Sequence, residues 1–292
     1  MAVAEAEIEQ VTVSEQDAYK AVQLYSEYTA QESSRRKERT EKEAALLAAV
    51  YSPLLALVEG DPDAMSARRE LESLLEFEEE NLASTRAQAE DSMRDFSDPL
   101  IEVKPFALPG SSVFGPPYEF ASSKLGSTLA RANLDKAAGN FAALEEVGPT
   151  ATLVETIAAL GFAMRSPTAL RVRVSAYMPI HWEINVEPKS GGGYVGVEFY
   201  VALRVWKAGM DIPVINKVPL LHTLFQPMPR PFFDSGDTLI GDHTSEEDRR
   251  LSMEANQTYF VWHDGIVRAV GNKNRVRAKI TCRLPFVVVA PV

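Results

Sequence analysis

The sequence predicts a segregated α+β chain, a long N-terminal α-helical hairpin followed by an antiparallel β-sandwich with jelly-roll-like connections. Three observations predict it. No glycine or proline occurs before Pro53, prolines cluster between Pro99 and Pro117, and apolar residues beyond that cluster recur at every second position. The division also shows in the charge. Residues 1–99 hold 23 acidic and 10 basic side chains, net −13, whereas residues 100–292 hold 18 and 20, net +2. At 292 residues and 46% hydrophobic composition, the chain is long enough for about two domains. The expected organisation is a flexible N-terminus over 1–13, an acidic helical hairpin over 14–96, a proline-rich connector over 97–116 and a sandwich over 117–292.

The first helix is expected over about 15–58, with Ser14 as N-cap and Asp17 in its first turn. Gly60-Asp61-Pro62-Asp63 supplies a stop and a new start, so a second helix is expected from near Pro62 to near Phe96. Its apolar stripe, Leu71, Leu75, Leu82, Ala89, Met93 and Phe96, needs a partner, which the first helix offers at each end. Between those ends Gln31 to Glu43 contains no large apolar residue, and is expected to be exposed or locally broken. Short connections favour antiparallel packing of the two limbs.

Strands are expected near 118–123, 126–133, 140–147, 169–178, 181–187, 194–207, 250–256, 257–263, 266–271 and 275–288. Turn signals separate them, among them Ser190 to Gly193, Asp264-Gly265 and Gly271 to Asn274. Residues 151–164 fit either a strand or a buried helix.

The acidic half repels nucleic acid and anionic lipid, so no nucleic-acid partner is expected. One cysteine, Cys282, precludes an internal disulfide. The longest nearly continuous apolar run, Ala44 to Val58, is shorter than the roughly 20 residues of a membrane span, and no constitutive span is expected. The first residues lack a basic and an apolar region, which fits a cytoplasmic protein or one released without a recognisable signal peptide.

No catalytic residue, cofactor or metal is expected, because no Gly-x-Ser-x-Gly, His-Glu-x-x-His or Cys-His arrangement is present. His263-Asp264 has the residue types of a general-base pair, but strand neighbours point to opposite faces. Glu183 and Glu198 are of the type that flank a glycosidic bond. Asp234, Asp237 and Asp242 offer oxygen ligands for calcium without the EF-hand spacing.

Three sets remain as partner or ligand sites. Arg171 and Arg173 on one strand, with Arg275, Arg277, Lys279 and Arg283 on another, form one positive face if the strands are neighbours. That face would then pair with local glutamates, bind an anion, or dock on the acidic helices. Tyr177, Tyr200 and Trp206 hold outward strand positions suited to sugar stacking, while Trp182 and Trp262 read as core. Lastly, the proline-interrupted stretch from Trp206 to Glu254 carries Leu221, Phe225, Met228, Phe232 and Phe233, and so reads as an edge cover, an interaction loop for a subunit or partner, or a membrane-touching loop. The expected function is a non-enzymatic, self-assembling structural or interaction protein, a homo-oligomer through its helices, with the sandwich binding a protein or glycan. Two alternatives are a lectin-like module and a pore-forming toxin with a rearranging hairpin. A chain cut at residue 99 is expected to leave a soluble sandwich.

Overall fold

In the computed structural model the described residues are 8–59, 61–63, 66, 110–148, 153–188, 194–226, 232–240, 250–272 and 274–292. A short strand β1 (Glu9–Gln10) precedes one long helix, α1 (Glu15–Glu59). The strands that follow are β2 (Ser112–Phe114), β3 (Phe120–Lys124), β4 (Arg131–Asp135), β5 (Asn140–Val147), β6 (Val154–Arg165), β7 (Leu170–Pro188) and β8 (Tyr194–Lys207). After them come β9 (Ile215–Lys217), β10 (Leu220–Gln226), β11 (Phe232–Ile240), β12 (Arg250–Met253), β13 (Thr258–Asn272), β14 (Asn274–Arg283) and β15 (Phe286–Pro291).

These strands form two antiparallel sheets. Sheet I runs β1-β6-β13-β8-β10, with β3 also on β6 and β9 also on β8. Sheet II runs β2-β15-β7-β14-β5-β4, with β11 and β12 also on β7. Alternation explains the layers, since Val172, Val174, Met178 and Ile180 of β7 meet Val197, Phe199, Val201 and Val261 of sheet I in one apolar core. The 19-residue β7 is the spine of sheet II. Its second half pairs with β14 and β11, its first half with β15 and β12. β14 and β15 lie end to end along it, broken at Leu284-Pro285 because proline cannot donate to the ladder.

Several expectations change. The sequence splits β7 at Pro179-Ile180, yet both halves are one strand, in which Pro179 stands opposite Leu239 of β11. Asp264-Gly265 is no turn; it lies in the middle of the 15-residue β13, paired with β6 on one side and β8 on the other. Residues 154–165 are a strand, resolving that ambiguity for the sheet. The proline-interrupted stretch after Trp206 contains β9 to β12, so its prolines delimit strands rather than prevent them.

The N-cap stands as read, with the Asp17 amide donating to Ser14 Oγ at 3.2 Å. Helix α1 runs unbroken through Gln31 to Glu43. A hairpin is not supported. Among the described residues there is one long helix, and its first half packs on sheet I; the second limb expected over 62–96 lies outside the described residues apart from 62, 63 and 66.

Candidate functional site

The site is the outer face of sheet I, where the first half of α1 lies. Period two turns Phe260, Trp262, Asp264, Ile266 and Arg268 of β13 outward, together with Tyr200, Ala202, Arg204 and Trp206 of β8. On a bare sandwich these would meet water, but Trp206 and Trp262 are 1% and 0% exposed. Tyr25 of α1 stacks on Trp262 with ring centroids 4.3 Å apart and an interplanar angle of 19°. It meets Trp206 edge-on at 5.9 Å, and Tyr28 does the same at 5.5 Å. Phe120 of β3 also stacks with Trp262, ring centroids 5.5 Å apart. Gly161 of β6 makes room: a Cβ there would sit 2.7 Å from the Val261 carbonyl and 2.9 Å from the Trp262 ring.

Beside the aromatics lies a buried charge network. Arg204 and Asp264, both fully buried, form an ion pair diagonally across the β8–β13 ladder, Arg204 standing opposite Trp262 and Asp264 opposite Ala202. Arg204 donates to Glu32 Oε2 at 2.8 Å and to Asn216 Oδ1 at 3.1 Å; Asn216 donates to the Tyr28 hydroxyl at 3.0 Å. Glu32 also pairs with Arg36 one helical turn on. Arg36 approaches Glu155 of β6 at 3.6 Å, and Glu155 accepts from Arg268 Nε at 2.5 Å. Arg268 in turn lies 4.2 Å from the Tyr200 ring and 3.3 Å from Glu198. Burial opposes the charged forms of Glu32 and Glu155, but Arg204 and Arg36 on the first, and Arg268 and Arg36 on the second, outweigh it and hold both pKa values below the ordinary range. Burial, helped by the bond to Glu198, pushes Tyr200 up to about 12. The polar stretch of α1 is therefore unbroken and, as expected, largely exposed, with Glu32 and Arg36 turned onto the sheet as a charged clamp.

The sequence-selected residues are distributed over three places. Trp206 lies beneath α1, Tyr200 belongs to the charge network, and Tyr177 sits on the outer face of sheet II beside Phe286 at 5.6 Å. The expected shared aromatic platform does not form, because Tyr177 and Tyr200 face opposite sides of the molecule and the helix covers the third ring.

The basic set is on sheet II, away from α1. Arg275 and Arg277 both bond Glu146 of β5, Arg275 lies 3.6 Å from Glu187, and the fully buried Lys279 bonds Glu183 at 2.9 Å. Register sets Lys279 opposite Glu183 and Arg277 opposite Glu146, the cross-strand pairing that was one reading of this set. Arg171 and Arg173 share the face but flank β12 and β15, beyond the end of β14 at Ile180, so the two groups are not neighbours.

Of the apolar stretch, Leu221 and Phe232 pack against the core, Phe233 is half-buried on the outer side of β11, and Phe225 is 63% exposed near Tyr194. Met228 lies outside the described residues, as does Asp242. Asp234 and Asp237 point to opposite faces of β11, Asp237 bonding His181 at 2.8 Å, so they do not share a cation. Among the described residues no group of three or more side chains is placed to hold a metal ion. Glu183 and Glu198 lie on the outer faces of different sheets and cannot flank one bond. His263 faces inward, and burial lowers its pKa to about 3, leaving a neutral imidazole.

Sequence reasoning missed Arg204, Asp264, Glu155 and Arg268, and with them Glu32, Arg36 and Tyr25. One signal was present, charged residues in mid-strand facing a helix whose own apolar stripe gives way to charges.

No family model matches the chain, and no curated protein matches it. Solved structures with some likeness include a carbohydrate-binding module in complex with β-1,4-galactotriose, at 8% identity and TM-score 0.21, covering 59% of this chain and 88% of that one. Another is the enzymatically active domain of tailspike protein 4 of bacteriophage CBA120, at 9% identity and TM-score 0.14, covering 62% and 19%. A third is a structure of infectious bursal disease virus, Gx strain, at 9% identity and TM-score 0.14, covering 67% and 46%.

Proposed function

We propose that this chain is a non-enzymatic assembly protein in which the sandwich is the body and α1 a rigidly mounted arm. One observation carries the reading: α1 is clamped to sheet I through Ala18 to Arg36 and then continues as helix to Glu59, through a stretch, Ala44 to Val58, in which 13 of 15 residues are apolar and none is charged. Such a helix gains stability only where its apolar surface is buried against another element. A second copy of the same segment is a self-complementary partner.

The experiment is light scattering on a sizing column, comparing the parent with Leu47→Glu/Leu54→Glu/Leu57→Glu. The expected result is a parent mass that is a multiple of 32.2 kDa and a variant that falls to the monomer with tryptophan emission unchanged. A parent that is monomeric at every concentration would sink the reading. Glycan arrays and liposome leakage then discriminate the lectin-like and pore-forming alternatives.

A further inference from the structure

Glu145 of β5 is a carboxyl turned into the core. Phe141, Ala143 and Val147 of the same strand face the space between the sheets, and alternation places Glu145 with them, opposite Ala278 of β14 and at 0% exposure. Its partners are neutral. Oε2 accepts from the Thr156 hydroxyl of β6 at 2.6 Å and Oε1 from the Glu146 amide at 3.2 Å. The inward residues that β13 and β14 bring to this end of the core, Val267, Ala269, Val276 and Ala278, carry no charge. Charged side chains of the surrounding strands point elsewhere. By register Arg131, Glu146, Arg277 and Lys279 lie on the outer face of sheet II and Glu155 and Arg268 on that of sheet I, while Lys124 approaches Glu155 at 3.8 Å.

The loop 125–130, which joins β3 of sheet I to β4 of sheet II, closes over this carboxyl. The Gly126 amide donates to Thr156 Oγ1 at 2.9 Å and the Ser127 hydroxyl to the Glu146 carbonyl at 3.0 Å. Ser127 Oγ in turn accepts from the Leu129 and Ala130 amides. Gly126 lies against the Glu145 carboxyl and the Glu155 backbone, so close that a Cβ would sit 2.6 Å from the Glu155 nitrogen. Leu125 and Leu129 are more than half exposed, so hydrogen bonds rather than apolar burial hold the loop down.

We propose that Glu145 is a pH-sensitive latch: its neutral carboxyl keeps loop 125–130 closed over the end of the sandwich, and loss of its proton opens that loop to water while the sheets stay paired. A neutral carboxyl completes these hydrogen bonds without a cation, whereas a carboxylate sealed among apolar side chains is costly. Burial outweighs the hydrogen bonds and raises its pKa above the ordinary 4.5, and the neighbouring Glu146 adds to the rise. The closed form therefore binds the proton more tightly than the open one. Closure is complete below about pH 4.5 and weakens as pH rises through the folded value. The latch goes beyond the assembly reading, and a monomeric protein would leave it standing.

The test is amide exchange by mass spectrometry on the full-length parent, Glu145→Gln and Thr156→Val, with labelling times scaled to the intrinsic exchange rate at each pH. Near-native tryptophan emission confirms that each variant folds. In the parent, residues 126–130 are expected to exchange faster than β13 and to lose protection by up to about tenfold per pH unit above pH 4.5. Glu145→Gln should make their protection independent of pH. Thr156→Val, which removes the hydroxyl joining Glu145 to Gly126, should leave them poorly protected at every pH. Loop protection equal to that of β13 would overturn the proposal, since the loop would then open only with the whole molecule. So would a parent without the pH dependence, a Glu145→Gln variant that keeps it, or a Thr156→Val variant as protected as the parent.

Discussion

Arg204 and Asp264 occupy adjacent strands at positions that leave neither side chain any water, so each depends on the other for charge compensation. Asp264→Ala is expected to cost about 3 kcal/mol by urea unfolding, because it leaves a buried guanidinium short of a partner. Arg204→Met/Asp264→Leu together should recover much of that loss, and a double variant as unstable as the single one would refute this account. The pH dependence follows from Glu32 and Glu155. Both have folded pKa values below the ordinary carboxylate value of 4.5, so their contribution is complete above about pH 4.5 and is lost as pH falls through the lower folded values. Burial raises Glu145, which accepts from Thr156 at 2.6 Å, so its contribution has the opposite sign, present at low pH and lost as pH rises. Glu145 lies away from the tryptophans under α1, and their emission therefore isolates the clamp. Acidification below pH 4.5 is expected to shift that emission to the red, and Glu32→Gln/Glu155→Gln should flatten the transition.

Helix α1 illustrates how an element is held by what it covers. Its first half docks through an apolar stripe, Ala18, Ala21, Val22, Tyr25 and Tyr28, which gives way to two charged residues one turn apart, Glu32 and Arg36. Tyr25→Ala removes the ring stacked on Trp262 and is expected to cost about 3 kcal/mol, read as faster amide exchange across residues 15–36. Unchanged exchange in that stretch would show that the charges alone hold the helix. From the other side, Gly161→Val forces the Val261 backbone and the Trp262 ring apart and should loosen the same helix without touching it.

On the scale of the whole molecule, the first half of α1 covers the outer face of sheet I. A chain beginning at residue 110 would expose Phe120, Trp206, Phe260 and Trp262 together with the Arg204–Asp264 pair. The expected outcome is aggregation or loss of the cooperative transition, not the independent soluble sandwich that the domain boundaries in the sequence imply. A soluble, cooperatively melting fragment would contradict this.

Much of the architecture was legible from local pattern. Period two marked β8, β14 and the first half of β7, and the Ser14 cap and the Gly60-Asp61-Pro62 stop marked α1 to within a residue or two of its ends. These properties belong to a single segment and its own periodicity. Asp264-Gly265 reads locally as a turn, but pairing on both sides keeps it extended. Trp206 reads locally as an exposed platform, but a helix 180 residues earlier lies on it. The basic residues of β14 read as one patch with those of β7 until register gives most of them carboxylate neighbours. By itself the sequence determined the helical segment before a sandwich and the inward faces of β8, β14 and the first half of β7, because burial on one face is written into alternation. Only the tertiary structure decided which outward face is covered, which charges are paired and where α1 lies, because those depend on contacts between residues too far apart in the chain for any local period to record.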